Sequence, residues 1–296
     1  MESNLLTIAI PTYNRSATLI KVIDLIAVSA INSKDSGVDL MVIDDDSNDG
    51  TYELLLDNKK NINMCVKKNE TRVGFCRNFL NLIKECKTEY ILFSTDDDFL
   101  IPSSVMYLVE YLRLTKSPPA LISTIFRNDD GTLCRGAIEY CDINEFEYGN
   151  CCNHLPGVVF NARLAKSVLS RIEFIVSQPI NYYPQSCFSF VFLALGYKCI
   201  YMPIEVVKTG YKMPSGIAGY SSLAGRWSQF KFFLGYLDFL KKITGEKWLL
   251  DKIDFAIERH KYNLFKLVGA GIREEDPDLA VYYLEGARKF ISGYGR

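Results

Sequence analysis

The segments LTIAIPTYNR (6–15), MVIDDDSNDGT (41–51) and YILFSTDDD (90–98) decide the fold of this chain. Each begins with a run of apolar residues typical of a strand buried on both faces, and each run ends in polar and acidic residues. Between these segments, apolar residues recur with the helical period over 19–30 and 75–86. Because strands that alternate with amphipathic helices form parallel sheets covered on both sides, we expect an α/β fold with a mostly parallel, Rossmann-like sheet flanked by helices.

The same pattern continues to about residue 205 and then changes. It predicts further strands over 63–66, 121–125, 157–160 and 199–202, and further helices over 51–57, 103–115, 162–172 and 188–195. An irregular loop is expected over 173–186, and a flexible segment over 208–225, which holds four glycines. We therefore expect an α/β domain over 1–225, with a first part over 1–105 and a second over 127–225, and a helical extension over 226–296.

Composition excludes several classes of protein. The 296 residues are 48% hydrophobic and carry a net charge of -1, which argues against a general nucleic-acid binder. Nine cysteines without a CxxC pair argue against a disulfide framework or a zinc site. We expect no signal peptide, because the first residues show no basic segment followed by an apolar stretch, and the longest apolar run, 188–195, is far shorter than a membrane span. We expect a cytoplasmic protein, soluble or peripheral on the inner face of the membrane.

Two acidic clusters follow predicted strands, Asp44–Asp46 and Asp96–Asp98. Ligands of open α/β sheets bind beyond the carboxyl ends of the strands, so both clusters and Tyr13 are expected at one edge. Adjacent carboxylates repel each other, and a hard divalent cation such as Mg²⁺ or Mn²⁺ relieves that repulsion. The alternative for each cluster is a turn and helix cap, since Asp and Ser are good N-caps.

Four ordered motifs resemble the nucleotide-sugar glycosyltransferases of the GT-A fold, family 2: PTYNR (11–15), IDDDSNDGT (43–51), RVGFCRN (72–78) and TDDD (95–98). The resemblance implies a GT-A catalytic domain over 1–225, with nucleotide-sugar binding in 1–105 and the acceptor side in 127–225. It implies transfer of a sugar from a nucleoside diphosphate-sugar to a saccharide or lipid-linked glycan acceptor. A Tyr-Pro pair at 183–184 and RNFL at 77–80 resemble, more loosely, the abequosyltransferase subgroup of O-antigen synthesis, which implies surface polysaccharide or capsule assembly.

The resemblance also implies roles for particular residues. Pro11 and Tyr13 would flank the nucleobase, Asp45 would hydrogen-bond it, and Asp96 would lie near the ribose. The remaining implied residues are Arg15 and Arg77 at the donor sugar nucleotide, and Asp97 and Asp98 at the DXD metal positions, with Mn²⁺ or Mg²⁺ as cofactor. A solvated helix residue is the alternative reading of Arg77.

The chain departs from the family at the catalytic base. Inverting members carry a carboxylate about a dozen residues before a Gly-Tyr-Lys segment, here 196–198, but counting back reaches Gln185, which cannot take a proton from a sugar hydroxyl. Either another residue acts, with His154 the first candidate, or the departing phosphate takes the proton on the same face, which gives retention and which we favour. A loop or packing histidine is the alternative reading of His154, and the more common one. Other candidates for the base are Asp142, Glu145 and Glu147.

Two alternatives to a glycosyltransferase stay open. A nucleotidyltransferase also uses acidic metal sites on an α/β sheet, but it usually has a glycine-rich phosphate loop, and residues 9–15 contain no glycine. A catalytically inactive sugar-nucleotide-binding protein agrees with the missing carboxylate. A processive synthase is disfavoured, because Leu223 stands where the QxxRW motif has glutamine. Finally, the amphipathic segment 226–242 either packs on the protein or lies on a membrane surface.

Overall fold

The computed structural model describes residues 4–59, 64–127, 130–144, 147, 151–172, 184–210, 235–238, 241–242, 247, 250–258, 281 and 285. The described residues up to 210 belong to one compact unit, and those from 235 onward belong to a second. All described residues of the second unit are helical, and Tyr236, Leu237 and Ile253 are among its buried residues. No helix in the described ranges is both long enough and apolar enough to cross a membrane.

The elements of the first unit alternate as the sequence predicts. Its strands are β1 (Leu6–Thr12), β2 (Val38–Asp44), β3 (Met64–Lys68), β4 (Tyr90–Phe93), β5 (Phe99–Leu100), β6 (Leu121–Arg127), β7 (Leu133–Arg135), β8 (Cys141–Asp142), β9 (Val158–Asn161), β10 (Cys199–Glu205) and β11 (Val207–Lys208). Its helices are α1 (Ser16–Ala27), α2 (Thr51–Asn58), α3 (Phe75–Glu85), α4 (Pro102–Leu114), α5 (Ala162–Ser167), α6 (Leu169–Ile172) and α7 (Pro184–Ala194), with a 3₁₀ turn at Ala30–Asn32.

Two predicted boundaries differ from the structure. The helix expected over 162–172 is broken into α5 and α6, because the Val168 N–H bonds to Ala165 in a tight turn rather than to the residue four positions back. The loop expected over 173–186 ends earlier, since α7 begins at Pro184, a residue that is tolerated in the first helical turn. Residues 173–183 lie outside the described part of the chain.

The main sheet is mostly parallel. Within the described ranges its strand order is β3-β2-β1-β4-β9-β6-β10-β8, and β7 pairs with β6. β3, β2, β1, β4, β6 and β10 share one direction, whereas β7, β8 and β9 run antiparallel to their neighbours. The carboxyl ends of β1, β2, β4 and β6 therefore lie at one edge of the sheet, which we call the carboxyl edge.

Helices cover both faces of the sheet, because successive side chains of a strand point to opposite faces and both sets are apolar. Leu6, Ile8 and Ile10 of β1 belong to a buried cluster with apolar residues of α1 and α4. The other face carries an aromatic cluster with ring centroids 4.6 to 6.5 Å apart, built from α3, β4, β9 and α7: Phe79, Phe93, Phe160, Phe188 and Phe192. This packing fixes the strands whose ends form the carboxyl edge.

Candidate functional site

The loops that follow β1 and β2 at the carboxyl edge are hydrogen-bonded to each other. The Asn14 N–H donates to Ser47 Oγ over 2.8 Å, and the Asn48 N–H donates to Asn14 Oδ1 over 3.0 Å. Asn14 has a φ of 52°, in the left-handed region that asparagine tolerates better than most residues. The loop that carries Tyr13 is thereby held against the acidic turn after β2.

Each carboxylate of Asp44–Asp46 has its own protein partner. Asp44 is buried and accepts bonds from the Ser47 N–H, over 3.0 Å, and from the Ser47 hydroxyl; burial raises its pKa. Asp46 Oδ1 lies 3.4 Å from Lys68 Nζ. Asp44 therefore closes the turn at the end of β2, as the turn reading expects, and a cation at this cluster stays a prediction.

Asp45 holds the loop that follows β3. Its Oδ1 accepts bonds from Asn69 Nδ2 and from the Val73 N–H, and its Oδ2 accepts one from the Gly74 N–H, all three over 2.8 Å. A carboxylate has about four acceptor sites, so Asp45 has acceptor capacity beyond these three bonds. Hydrogen bonding of Asp45 to a nucleobase stays a prediction, and the structure adds a second role in folding the 69–74 loop.

The 69–74 loop brings a cation to the ring of Tyr13. The Arg72 guanidinium carbon lies 4.1 Å from the Tyr13 ring centroid, a close cation–π contact. Tyr13 is half-buried, whereas Pro11 is buried within β1 opposite Ile43. The sequence did not single out Arg72, although this residue begins the RVGFCRN motif. In the structure it directly precedes Val73 and Gly74, whose N–H groups donate to Asp45.

Arg77, the arginine that the resemblance favours, is exposed on α3. Its neighbour Asn78 is buried and donates to the Ile43 carbonyl over 2.8 Å, which joins α3 to the end of β2. The structure therefore places Arg77 at the same end of the sheet as the 69–74 loop, and its contact with a donor stays a prediction.

Asp96 is the buried member of the second acidic cluster. Its Oδ2 accepts a bond from Thr12 Oγ1 over 2.7 Å, and its Oδ1 lies 3.8 Å from Arg15 Nε. Burial, and secondly the neighbouring charge of Asp97, raise the pKa of Asp96 to about 7. Asp96, Arg15 and the end of β1 thus form one connected polar group at the carboxyl edge.

Asp97 and Asp98 follow directly and differ in environment. Asp97 is half-buried. Asp98 is buried, and its two oxygens accept bonds from Thr95 Oγ1, over 2.7 Å, and from the Gly210 N–H, over 2.9 Å. Within the described residues, no group of three Asp, Glu, His or Cys side chains forms an arrangement that holds a metal ion without further ligands.

The segment 151–157 brings His154 to the carboxyl edge. The Gly157 N–H donates to the Phe93 carbonyl at the end of β4 over 2.9 Å, next to the acidic cluster. The His154 ring stacks on Phe126 with centroids 5.1 Å apart and planes at 26°. Burial, and then the charge of Arg135, lower the pKa of His154. Both effects favour the neutral form of the His154 ring.

Arg135 holds this segment in place from the sheet side. Its buried guanidinium donates to the carbonyls of Thr124, over 3.1 Å, of Pro156, over 2.6 Å, and of His154. Burial lowers the pKa of Arg135 to about 10. No sequence pattern singled out this residue, because its partners are backbone carbonyls distant in sequence.

Gln185 lies in the first turn of α7 and is buried. Its neighbour Ser186 donates to the Cys152 carbonyl over 3.4 Å, which places the start of α7 beside the segment that carries His154. Among the described residues, Gln185 Oε1 is one of a few buried polar atoms without a hydrogen-bond partner. The two catalytic candidates are thus brought to neighbouring backbone segments.

The three acidic residues that are alternative candidates for the base lie at different places in the chain. Asp142 pairs with Ile200 near the start of β10, toward the edge opposite Asp96–Asp98. Glu147 accepts a bond from Asn144 over 3.3 Å, and Glu145 lies outside the described residues. The structure therefore removes Asp142 from the candidate site.

Comparisons with solved structures show similar folds at low sequence identity. TarS 1-349 of S. aureus in complex with UDP-GlcNAc matches with a TM-score of 0.60 and 14% identity over 86% of this chain and 72% of that chain. Two other structures of the same TarS fragment are matched over 65% of their length. A mannosyltransferase of Pyrobaculum calidifontis in complex with GDP-Man and Mn2+ matches with a TM-score of 0.59 and 12% identity, over 98% and 81% of the two chains.

These likenesses establish the GT-A fold. The sequence search among curated proteins gave no match. A family model, Glycosyl transferase family 2, matches residues 7–171, which contain β1 to β4, both acidic clusters, the 69–74 loop and His154. By this match over more than half of its length, the chain belongs to glycosyl transferase family 2.

Proposed function

We propose that this glycosyltransferase takes its sugar from a nucleoside diphosphate-sugar and uses a divalent cation bound at Asp97 and Asp98. The observation that carries the proposal is that the Asp96–Asp98 cluster lies at the same edge as Tyr13 and the 69–74 loop, joined to β1 through Thr12. The structural neighbours with UDP-GlcNAc, and with GDP-Man and Mn2+, support the choice of donor class and metal.

The residues present fit a divalent cation. Mg²⁺ and Mn²⁺ are bound by oxygen ligands, often one or two carboxylates completed by substrate phosphates and waters. Asp97 and Asp98 supply two adjacent carboxylates, and the charge of Asp97 adds to burial in raising the pKa of the neighbouring Asp96. When bound, the cation neutralises the charge that develops on the departing nucleoside diphosphate.

The other residues at this edge bind and orient the donor. Tyr13 presents an aromatic face and Arg72 a cation, which suits a planar nucleobase. Asp45 keeps the 69–74 loop folded and offers an acceptor to a base N–H. Asp96, held by Thr12 and close to Arg15, supplies an acceptor for a ribose hydroxyl.

The acceptor proton leaves by one of two routes. His154 is held near the end of β4 and its surroundings favour its neutral form, so it is the first candidate to accept the proton if the enzyme inverts, with Glu145 and Glu147 as the other candidates. Without an enzymic base, the departing phosphate takes the proton on the same face, which gives retention. We favour retention, because Gln185 stands in the usual place of the carboxylate. Proton NMR of the first-formed product decides: an anomeric configuration opposite to that of the donor contradicts retention.

A panel of nucleoside diphosphates tests the donor class. Thermal shift with UDP, GDP, CDP, ADP and dTDP is measured with and without Mn²⁺, and the proposal predicts a Mn²⁺-dependent stabilisation by at least one of them, since a ligand that binds only the native state raises its stability. Asp97→Asn removes one charge and keeps the shape of the side chain. We expect this variant to lose the Mn²⁺-dependent part of the thermal stabilisation. The absence of stabilisation by all five contradicts the proposal.

The main rival is a catalytically inactive sugar-nucleotide-binding protein. The amide at Gln185 favours it, because an amide does not act as a base. Donor hydrolysis separates the two: the rival binds the nucleotide sugar without turning it over. A nucleotidyltransferase, the other rival, is separated by the release of pyrophosphate from a nucleoside triphosphate.

The setting of the reaction is also a proposal. The looser resemblance favours assembly of an O-antigen, capsule or other surface polysaccharide on a saccharide or lipid-linked acceptor at the cytoplasmic face of the membrane. In the segment 226–242, Leu237 is buried and Lys242 pairs with Asp238 over 2.7 Å; Trp227 and most of the apolar face lie outside the described residues. Sedimentation with anionic liposomes tests membrane contact. If the segment lies on the membrane, the protein binds the liposomes at low salt, and binding decreases as salt is added.

A further inference from the structure

The Asp98 carboxylate is oriented by two donors that belong to different parts of the chain. Thr95 Oγ1, three residues earlier, donates to Oδ2 over 2.7 Å, and the Gly210 N–H, 112 residues later, donates to Oδ1 over 2.9 Å. One donor on each oxygen fixes the plane of the carboxylate. Asp98 is buried, so these bonds are shielded from water.

Position 210 has no room for a side chain. A Cβ on Gly210 would lie 1.7 Å from the Asp97 carbonyl oxygen and 3.0 Å from the Asp98 Cα, both rigid backbone atoms. No real Cβ contact is that short, so any other residue displaces the chain from the acidic cluster. The close approach is what lets the 210 backbone N–H reach Asp98.

The segment before Gly210 is anchored independently of Asp98. β11 pairs antiparallel with β5, Val207 opposite Leu100 and Lys208 opposite Phe99. The Thr209 hydroxyl donates to the Arg127 carbonyl at the end of β6 over 2.7 Å. Gly210 is thus delivered to the acidic cluster by a two-strand ladder and by the neighbouring strand of the main sheet.

We propose that Thr95 and Gly210 are positioning residues that hold the Asp98 carboxylate for the divalent cation. The inference rests on the proposed function, in which Asp98 binds that cation. Hydrogen-bond partners of metal ligands set the orientation of the ligands, and their loss typically costs about 10- to 100-fold in metal affinity. The resemblance assigned no role to either residue, although Thr95 begins the TDDD motif.

The Thr95 hydroxyl is tested with a pair of variants. Thr95→Val keeps the shape and removes the donor, whereas Thr95→Ser keeps the donor. Mn²⁺ binding is measured by electron paramagnetic resonance in the presence of UDP or GDP, whichever stabilises the wild type. We expect Thr95→Val to lose about 10-fold or more in Mn²⁺ affinity, with unchanged metal-free nucleotide affinity, and Thr95→Ser to stay near the wild type. Wild-type Mn²⁺ affinity in Thr95→Val, or equal losses in both variants, overturns the proposal.

Gly210 is tested with a matched glycine. Gly210→Ala is compared with Gly235→Ala, since a Cβ at the helical Gly235 meets nothing within 4 Å. We expect Gly210→Ala to lose Mn²⁺ affinity and Gly235→Ala to keep it. A folded Gly210→Ala protein with wild-type Mn²⁺ affinity removes Gly210 from the proposal, and if this variant does not fold, the Thr95 pair decides alone.

The two proposals fail in different ways. If the wild type binds a nucleoside diphosphate without any dependence on Mn²⁺, the proposed function fails at the metal. If the wild type binds Mn²⁺ with the nucleotide and Thr95→Val does so equally well, only the positioning role fails.

Discussion

The three adjacent carboxylates at the end of β2, Asp44–Asp46, each make different contacts, which depend on the residues around them. Asp44 closes its own turn on Ser47, Asp45 holds the backbone of the 69–74 loop, and Asp46 pairs with Lys68 at the surface. From the sequence, these residues look equivalent. Only the folded chain separates them, because their partners, Ser47, the 69–74 loop and Lys68, come from different parts of the chain.

Substitution of Asp45 is expected to weaken nucleotide binding. Asp45→Ala leaves the Val73 and Gly74 N–H groups without their acceptor and loosens the loop that carries Arg72. We expect a loss of about 1–3 kcal/mol in nucleoside diphosphate affinity, the cost of unsatisfied polar partners. Isothermal calorimetry checks this, with Asp46→Asn as control because asparagine tolerates the left-handed backbone of Asp46, whose φ is 61°. Equal affinities in the two variants contradict the role of Asp45.

Asp96 is expected to make the metal-free protein less stable as pH rises. Its folded-state pKa of about 7 lies above the ordinary 3.8, so between these values the native state holds a proton that the unfolded state has lost. The stabilisation of the native state by this proton is complete below about pH 4. It decreases by up to about 1.4 kcal/mol per pH unit as the pH rises from there to about 7. Asp96→Asn removes this dependence. Urea unfolding in EDTA from pH 5 to 8 measures the difference between the two proteins; parallel pH profiles refute it.

His154 is expected to titrate below the ordinary histidine pKa of 6.5, because burial and Arg135 both disfavour its charged form. The chain has only two histidines, so a histidine NMR titration gives two curves, and His154→Gln assigns them. A His154 pKa at or above 6.5 contradicts the structure of this segment.

At the scale of elements, the sequence predicted the strands and helices up to β4 well, and those after β4 less well. Strands such as 90–93 are continuous apolar runs that end in polar motifs, so their type and place follow from burial alone. β9 is equally buried over Val158–Asn161, yet it runs antiparallel, a direction that the pattern of burial does not encode. Arg72, Arg135 and Gly210 were not predicted as site residues, because each acts through contacts with residues remote in sequence or with backbone atoms.

Arg135 is expected to be the main support of the 151–157 segment. Arg135→Gln leaves the buried carbonyls of Thr124 and Pro156 without full partners, and we expect a loss of about 2 kcal/mol or more in unfolding free energy. Lys67→Gln, which breaks an exposed pair with Glu85, is the control and is expected to cost at most about 1 kcal/mol. Chemical denaturation compares them; a loss for Arg135→Gln no larger than the control contradicts this support.

For the whole molecule, the sheet brings two halves of the chain to one edge. The part of the chain up to Asp98 supplies Tyr13, the 69–74 loop and Asp96–Asp98. The segments before β9, at the start of α7 and after β11 supply His154, Gln185 and Gly210. Motif order identified the first half, since its residues follow successive parallel strands. The part of the chain after β4 lacks the motif carboxylate, so its candidate residues could be located only from the folded chain.

Metal-dependent turnover of a nucleotide sugar tests the central claim most directly. Release of nucleoside diphosphate from UDP-GlcNAc, GDP-mannose and further nucleotide sugars is followed with Mn²⁺, with excess EDTA, and in Asp97→Asn, Asp98→Asn and the control Asp46→Asn. We predict release from at least one donor that EDTA abolishes, that added Mn²⁺ restores, and that falls by about 100-fold or more in the Asp97 and Asp98 variants but not in the control. Full turnover in EDTA, or in the Asp97→Asn/Asp98→Asn double variant, contradicts the account.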